Sequence, residues 1–174
     1  FGVLLNGDGK WQDDGAFDLL QPCAPDSVNH GQGSYAPELG LYFFTSDLPG
    51  GEGGYDIWYI VYDPETGKWT DPINAGPQVN TSGDEMFPYI RKDGTLYFSS
   101  DGRMGMGKMD IYESERKGPD SWGKPKNMGY PINSEGNDFG IIFEGETMKG
   151  YFSSDRKREN TKGKDEIWQF FLGT

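Results

Sequence analysis

The sequence predicts an all-β protein, a β-propeller of four-stranded antiparallel blades. A strand pattern recurs at a fixed spacing, because Phe43-Phe44-Thr45-Ser46-Asp47, Tyr97-Phe98-Ser99-Ser100-Asp101 and Tyr151-Phe152-Ser153-Ser154-Asp155 place their Asp residues 54 apart. Gly 27 and Pro 11 among 174 residues punctuate short runs, while aromatics at 15% argue against disorder. No segment carries helical periodicity.

Each unit divides into four strands. The first covers Tyr35–Leu39, Met86–Ile90 and Phe139–Phe143. Asp93-Gly94 predicts a two-residue hairpin to the second strand, the aromatic-Phe-Ser-Ser run. The third strand carries Tyr55-Asp56-Ile57-Trp58, Met109-Asp110-Ile111-Tyr112 and Asp165-Glu166-Ile167-Trp168, the last with Glu in place of Asp. Asp63-Pro64-Glu65-Thr66-Gly67 makes a turn, and Lys68-Trp69 opens a short fourth strand. Trp11, Trp69 and Trp122 recur there, and Val28-Asn29, Val79-Asn80 and Ile132-Asn133 form a further matching element. Four short strands per unit of about 50 residues is a blade pattern.

The chain then holds about three blade-equivalents in one propeller segment: 1–30 ends one blade, 31–80 and 81–133 are blades, and 134–174 is a partial blade. Phe1 falls inside a strand, so the chain reads as a piece of a larger propeller. Two arcs closing one ring through open blade edges, and a closed three-bladed form, are the other arrangements.

Composition excludes several functions. His30 and Cys23 are the single His and Cys, so a multi-histidine metal site, a Cys zinc cluster and an intrachain disulfide are ruled out. No cofactor or metal is expected. Net charge −12 argues against nucleic acid, and no apolar run spans a bilayer. His30 reads as a solvated loop residue. With neither Gly-x-Ser-x-Gly nor a second His, a Ser-His-Asp site is not expected.

The recurrent Asp47, Asp101 and Asp155 invite a calcium or catalytic reading. Recurrence in every unit favours a structural one, each Asp bonding the backbone of its own turn. Asp56, Asp110 and Glu166 read the same way, and the recurrent Trp rings read as packing between blades rather than sugar platforms. Asp84, Glu85 and Asp138 enter first strands, which line the channel mouth of a propeller. There paired carboxylates could run glycoside hydrolysis.

The loops between second and third strands differ from one another, which is where binding sits on a repeated scaffold. The second carries Arg103, Met104, Met106 and Met109. The third places Arg156, Lys157, Arg158, Lys162 and Lys164, five of 16 basic residues, within nine positions. Arg103, Met104, Met106, Arg156, Lys157, Arg158 and Lys162 are the expected partner-binding face, able to steer an acidic partner; the alternative is a solvated loop.

The segments DGTLYFSSDG, GKMDIY and SWGKPKNMGYPINSEGND resemble the TolB-type, WD-like propeller repeat over nearly the whole chain. The Trp-x-x-Pro…Ile-Asn segment more closely resembles propellers of OmpA-family outer-membrane lipoproteins of Bacteroidetes. The resemblance implies a periplasmic, outer-membrane-associated protein of a Gram-negative cell. It would reach peptidoglycan through a domain outside this chain and serve type IX secretion or gliding. The expected function is a non-catalytic scaffold for a protein partner in the cell envelope, not an enzyme. The rival is a propeller enzyme: a glycoside hydrolase using channel carboxylates, or the gating propeller of a prolyl-oligopeptidase-like peptidase.

Overall fold

The computed structural model describes residues 3–5, 11–13, 27–157 and 164–173. All sheets are antiparallel. The first pairs β1 (Val3–Leu5) with β2 (Trp11–Asp13). The second runs β3 (His30–Ala36), β4 (Leu41–Ser46) and β5 (Asp56–Asp63), with β6 (Lys68–Trp69) and β7 (Ile73–Asn74) both along β5. The third runs β8 (Glu85–Ile90), β9 (Leu96–Ser100) and β10 (Asp110–Ser114). A hairpin of β11 (Arg116–Gly118) and β12 (Ser121–Trp122) follows, and β13 (Lys126–Asn127) pairs back on β10. The fourth is β14 (Asp138–Phe143), β15 (Lys149–Ser154) and β16 (Glu166–Phe171).

The strands pair in the predicted order, with local differences. The first copy's leading strand is His30–Ala36, not Tyr35–Leu39, because Pro37 opens a 3-10 turn that Gly40 ends at φ 61°. Pro lacks the N–H a ladder needs, so the strand stops before it. The turn at Asp93-Gly94 is wider than a two-residue hairpin: residues 91–95 join β8 to β9, with Gly94 N–H donating to Arg91 O. The leading strand of each copy also carries a bulge that the sequence does not announce. Gln32, Phe87 and Gly140, each two residues into its strand, have φ of 53°, 55° and 67°. Bulges re-aim a strand and increase its twist. The side-chain carbonyl of Gln32 accepts the Phe87 N–H at 3.0 Å, joining two successive bulges.

The sheets stack through strand alternation. Phe43 and Tyr97 share one repeat position and face the sheet that follows; Phe98 and Phe152 share the next and face the one before. Leu41, Phe43, Ile57 and Tyr59 of the second sheet therefore meet Leu96, Phe98 and Tyr112 of the third in one core. Trp122 closes it, edge-on to Phe43 and Tyr59, with its indole N–H on Gly94 O at 3.1 Å. Tyr97, Ile111 and Ile141 meet Phe152 and Phe170 in the next core. A third cluster gathers Phe44, Trp58 and Ile60 on the other face of the second sheet. Burying rings on this scale supplies about 2 kcal/mol each.

The linkers between sheets are held by asparagines. Asn80 accepts the Ile57 N–H at 2.8 Å, donates to Ile57 O at 3.0 Å, and donates to the Asn74 side chain at 2.8 Å. Asn133 repeats all three bonds on Ile111 and Asn127 at 2.8 Å. A side-chain amide thus replaces one rung of a ladder. Val28-Asn29 is not the equivalent of these segments. Asn29 directly precedes β3 and bonds Asp47, whereas Asn80 and Asn133 lie five residues before β8 and β14.

Asn133→Ala removes three bonds from a buried site and leaves the Ile111 backbone groups unpaired. The expected loss is about 3 kcal/mol in chemical denaturation, at roughly 1 kcal/mol per bond. A loss below a few tenths of a kcal/mol would show that the clamp is not structural.

Candidate functional site

Two loops between second and third strands, those before Asp56 and Asp110, are each closed by the carboxylate that ends the loop. Asp56 accepts the Glu52 and Gly53 N–H groups, and Asp110 accepts the Met106 N–H. Asn74 and Asn127 donate to the same carboxylates at 3.0 and 2.9 Å. Each loop then seats on the following linker, with Gly54 N–H on Gly83 O and Lys108 N–H on Gly136 O. The approach is so close that a Cβ at Gly53 would lie 2.2 Å from Gly83 O, and one at Gly107 2.3 Å from Ser134 O. These glycines let the two backbones meet.

Asp47, Asp101 and Asp155 are structural, but their bonds run to a neighbouring strand and not to their own turns. They accept the N–H of Asn29, Asp84 and Asn137, the residues just before β3, β8 and β14. The Asn29 side chain, together with its N–H, lowers the Asp47 carboxyl below the usual range. The Asn137 N–H, then its side chain, does the same for Asp155.

The expected channel-mouth carboxylates are occupied. Glu85 and Asp138 are each 0% exposed. Glu85 accepts from Thr81 N–H at 2.6 Å, Thr81 Oγ1 at 2.8 Å and Ser100 Oγ at 2.5 Å. Burial pushes its carboxyl above the usual range, against the lowering by those bonds and by Arg103. Asp138 accepts the Ser134 N–H and the hydroxyls of Ser134 and Ser154, and pairs with Arg156 at 2.7 Å. Asp84, half-buried, accepts the Tyr55 N–H at 2.8 Å and so ties the second sheet to the third. Glu85 and Asp138, enclosed with these partners, present no open oxygen to a glycosidic bond.

The cations opposite them are engaged inside the fold. Arg103 donates to Gln78 O and Val79 O, both at 2.7 Å, and lies over Phe98 and Tyr112. Arg156 donates to Pro131 O at 2.7 Å, to Ile132 O and to Ser154 Oγ, and lies over Phe152 and Trp168. Both guanidiniums thus clamp a linker. The first copy shows the two charges go together. His30 stands opposite Ser46 as Glu85 and Asp138 stand opposite Ser100 and Ser154, and Leu48 follows its Asp where Arg156 follows Asp155. A buried cation without a buried carboxylate is costly, so both change or neither does.

What remains accessible is Met104, 99% exposed, Met106, 49% exposed, and Lys157 and Lys164. Arg158 and Lys162 lie outside the described residues, as do Cys23 and the Trp11 side chain. Lys108, Lys157 and Glu135 border a shallow cleft of about 370 Å³ beside these loops. Sequence reasoning missed its Glu135 and Lys108. The Gly-Lys-Met and Ser-Glu-Gly segments that carry them come together only when loop and linker pair.

No family model matches the chain, and no curated protein does. Among solved structures, it is similar to a Hadza microbial sialidase, Hz136, at 13% identity and a TM-score of 0.42. The likeness covers 92% of this chain and 35% of that structure, so the chain spans about a third of its length. The expectation that the chain is not an enzyme is withdrawn, because the structure it resembles is named as one. At that TM-score the likeness assigns no reaction here.

Arg156→Leu strands the Asp138 carboxylate and is expected to cost about 3 kcal/mol. Asp138→Ser with Arg156→Leu should cost less than the two single changes together. Strict additivity in a double-mutant cycle would remove the pairing. Acid stability follows Asp155. A carboxyl lowered in the folded state stabilises above its unfolded value, and that stability is lost as pH falls through the folded value. Asn137→Ala should raise the Asp155 value in an NMR titration and move acid unfolding to higher pH.

Proposed function

We propose that the stacked sheets are blades of a propeller and that the loop end of the ring is a docking platform for a protein partner. The observation that carries this reading is the contrast within the loop between β9 and β10. Its backbone is held by a carboxylate and by the following linker, while Met104 and Met106 project into solvent. Rigid loops bearing exposed apolar side chains bind without a large ordering cost. Lys157 and Lys164 add positive charge to a molecule of net charge −12, which favours an acidic partner at that edge. The propeller reading is supported by the recurring strand order and by β8 packing against both β3 and β14.

The resemblance of its motifs to the TolB-type repeat supports a place in the cell envelope. On this reading the partner is an envelope protein, and the platform belongs to a peptidoglycan-tethered, outer-membrane-associated protein of a secretion or gliding apparatus.

A variant combining Met104→Glu, Met106→Glu and Lys157→Glu alters only exposed side chains. It should keep the parent's Tm and lose, by at least about tenfold, the envelope protein that the parent retains in cross-linking. Equal recovery by both proteins would overturn the platform.

A further inference from the structure

The loop between β9 and β10 repeats the frame of the loop between β4 and β5 with different side chains. Residues 46–56 and 100–110 align without a gap, and the carboxylate that ends each takes the N–H of the fourth residue before it, Glu52 or Met106. Where the first loop has Gly50, Glu52 and Tyr55, the second has Met104, Met106 and Met109. Half of the chain's 6 methionines thus fall in one short loop, although the first loop keeps the same frame with none.

The frame fixes where these thioethers start. The Tyr112 hydroxyl donates to Met104 O at 3.2 Å, Lys108 N–H to Gly136 O at 3.0 Å, and Asp138 N–H to Met109 O at 2.7 Å. A Cβ at Gly105 would overlap the Asp110 carboxylate, so that side of Gly105 faces inward. Met104 and Met106, on either side of it, are 99% and 49% exposed, and Met109 is half-buried. Methionine has three rotatable bonds, so sulfurs leaving one small loop can turn to a common point.

The charge beneath the loop favours a cation. Asp110 is 1% exposed and its Oδ1 has no hydrogen-bond partner, whereas Asp56 Oδ1 takes the Gly53 N–H at 3.2 Å. A buried carboxylate oxygen left unpaired is uncompensated negative charge. The neighbouring cations are engaged elsewhere, Arg103 on Gln78 O and Val79 O, and Lys108 at the cleft with Glu135 and Asp155. Among the described residues no three His, Cys, Asp or Glu side chains gather as metal ligands, so the ligand this loop presents is sulfur.

We propose that Met104, Met106 and Met109 bind a soft monovalent metal ion of the Cu(I) class. Thioethers are polarisable ligands that select Cu(I) over hard divalent ions. A loop whose backbone is already held loses little freedom on closing around the ion. The inference goes beyond the docking platform and does not rest on it, because the ion is bound by the chain alone.

The probes are Cu(I), kept reduced without air, and Ag(I), its redox-inert counterpart. Each is titrated into the whole chain carrying Cys23→Ser, which removes the single competing thiol. Saturable binding of one equivalent is expected. The methyl resonances of Met104, Met106 and Met109 should shift in NMR spectra, that of Met148 should stay, and Zn(II) should move none of them. Replacing the three loop methionines by Leu keeps side-chain size and apolar character, so Tm should hold. That variant should bind Cu(I) at least about tenfold more weakly. Equal affinity in the variant would hand the ion to His30 or another group and overturn the site. Absence of saturable binding, unmoved loop methyl resonances, or an equal response to Zn(II) would overturn it as well.

Discussion

The side-chain amides of Asn80 and Asn133 are the constraint on which the stacking depends. Each reads one residue of a third strand as a complementary strand would, accepting its N–H and donating to its carbonyl. The amide sits in the linker to the next sheet, so the bond that completes one sheet also fixes where the next begins. Five residues on, Glu85 or Asp138 opens the new leading strand and takes the linker's Thr81 or Ser134 as its partner. Strand completion, linker path and sheet stacking are therefore one network, and removing any member leaves buried polar groups unpaired.

The charges within that network are internal equipment. Glu85 and Asp138 look like catalytic candidates in a list of acidic residues, and Arg103 and Arg156 look like a binding patch in a list of basic ones. In the fold they face each other's surroundings across the same linker, the carboxylates on its hydroxyls and N–H groups, the guanidiniums on its carbonyls. The first copy, with His30 and Leu48 at those places, keeps the sheet without either charge. Ser46 bonds Asn29 O there instead of a carboxylate. The pair thus serves the path of the linker, and the ladder itself stands without it.

Among the described residues, two kinds of surface are left once this network is subtracted. One is the loop end, where Met104 and Met106 project from a backbone held on both sides. The other is the edge of β16, where an apolar strand face meets a cleft.

Much of the architecture was legible in the sequence. The recurrence of aromatic-Phe-Ser-Ser-Asp and Asp-Ile-Trp set the strands and their order, because period-2 burial writes itself into residue type. The structural nature of Asp47, Asp101 and Asp155 was legible too, since a residue needed in every copy serves the copy. Their targets were not, because Asn29, Asp84 and Asn137 lie 17 or 18 residues away along the chain. The same holds for the leading strand of the first copy, where Val28-Asn29 imitates Val79-Asn80 in letters and not in position. It holds again for Arg103 and Arg156, whose exposure depends on which carbonyls the linker brings beneath them. Local pattern by itself determined where strands form and that they repeat. Only the tertiary structure decided which polar groups are consumed inside the repeat and which remain for a partner, because that depends on contacts between segments that sequence spacing does not bring together.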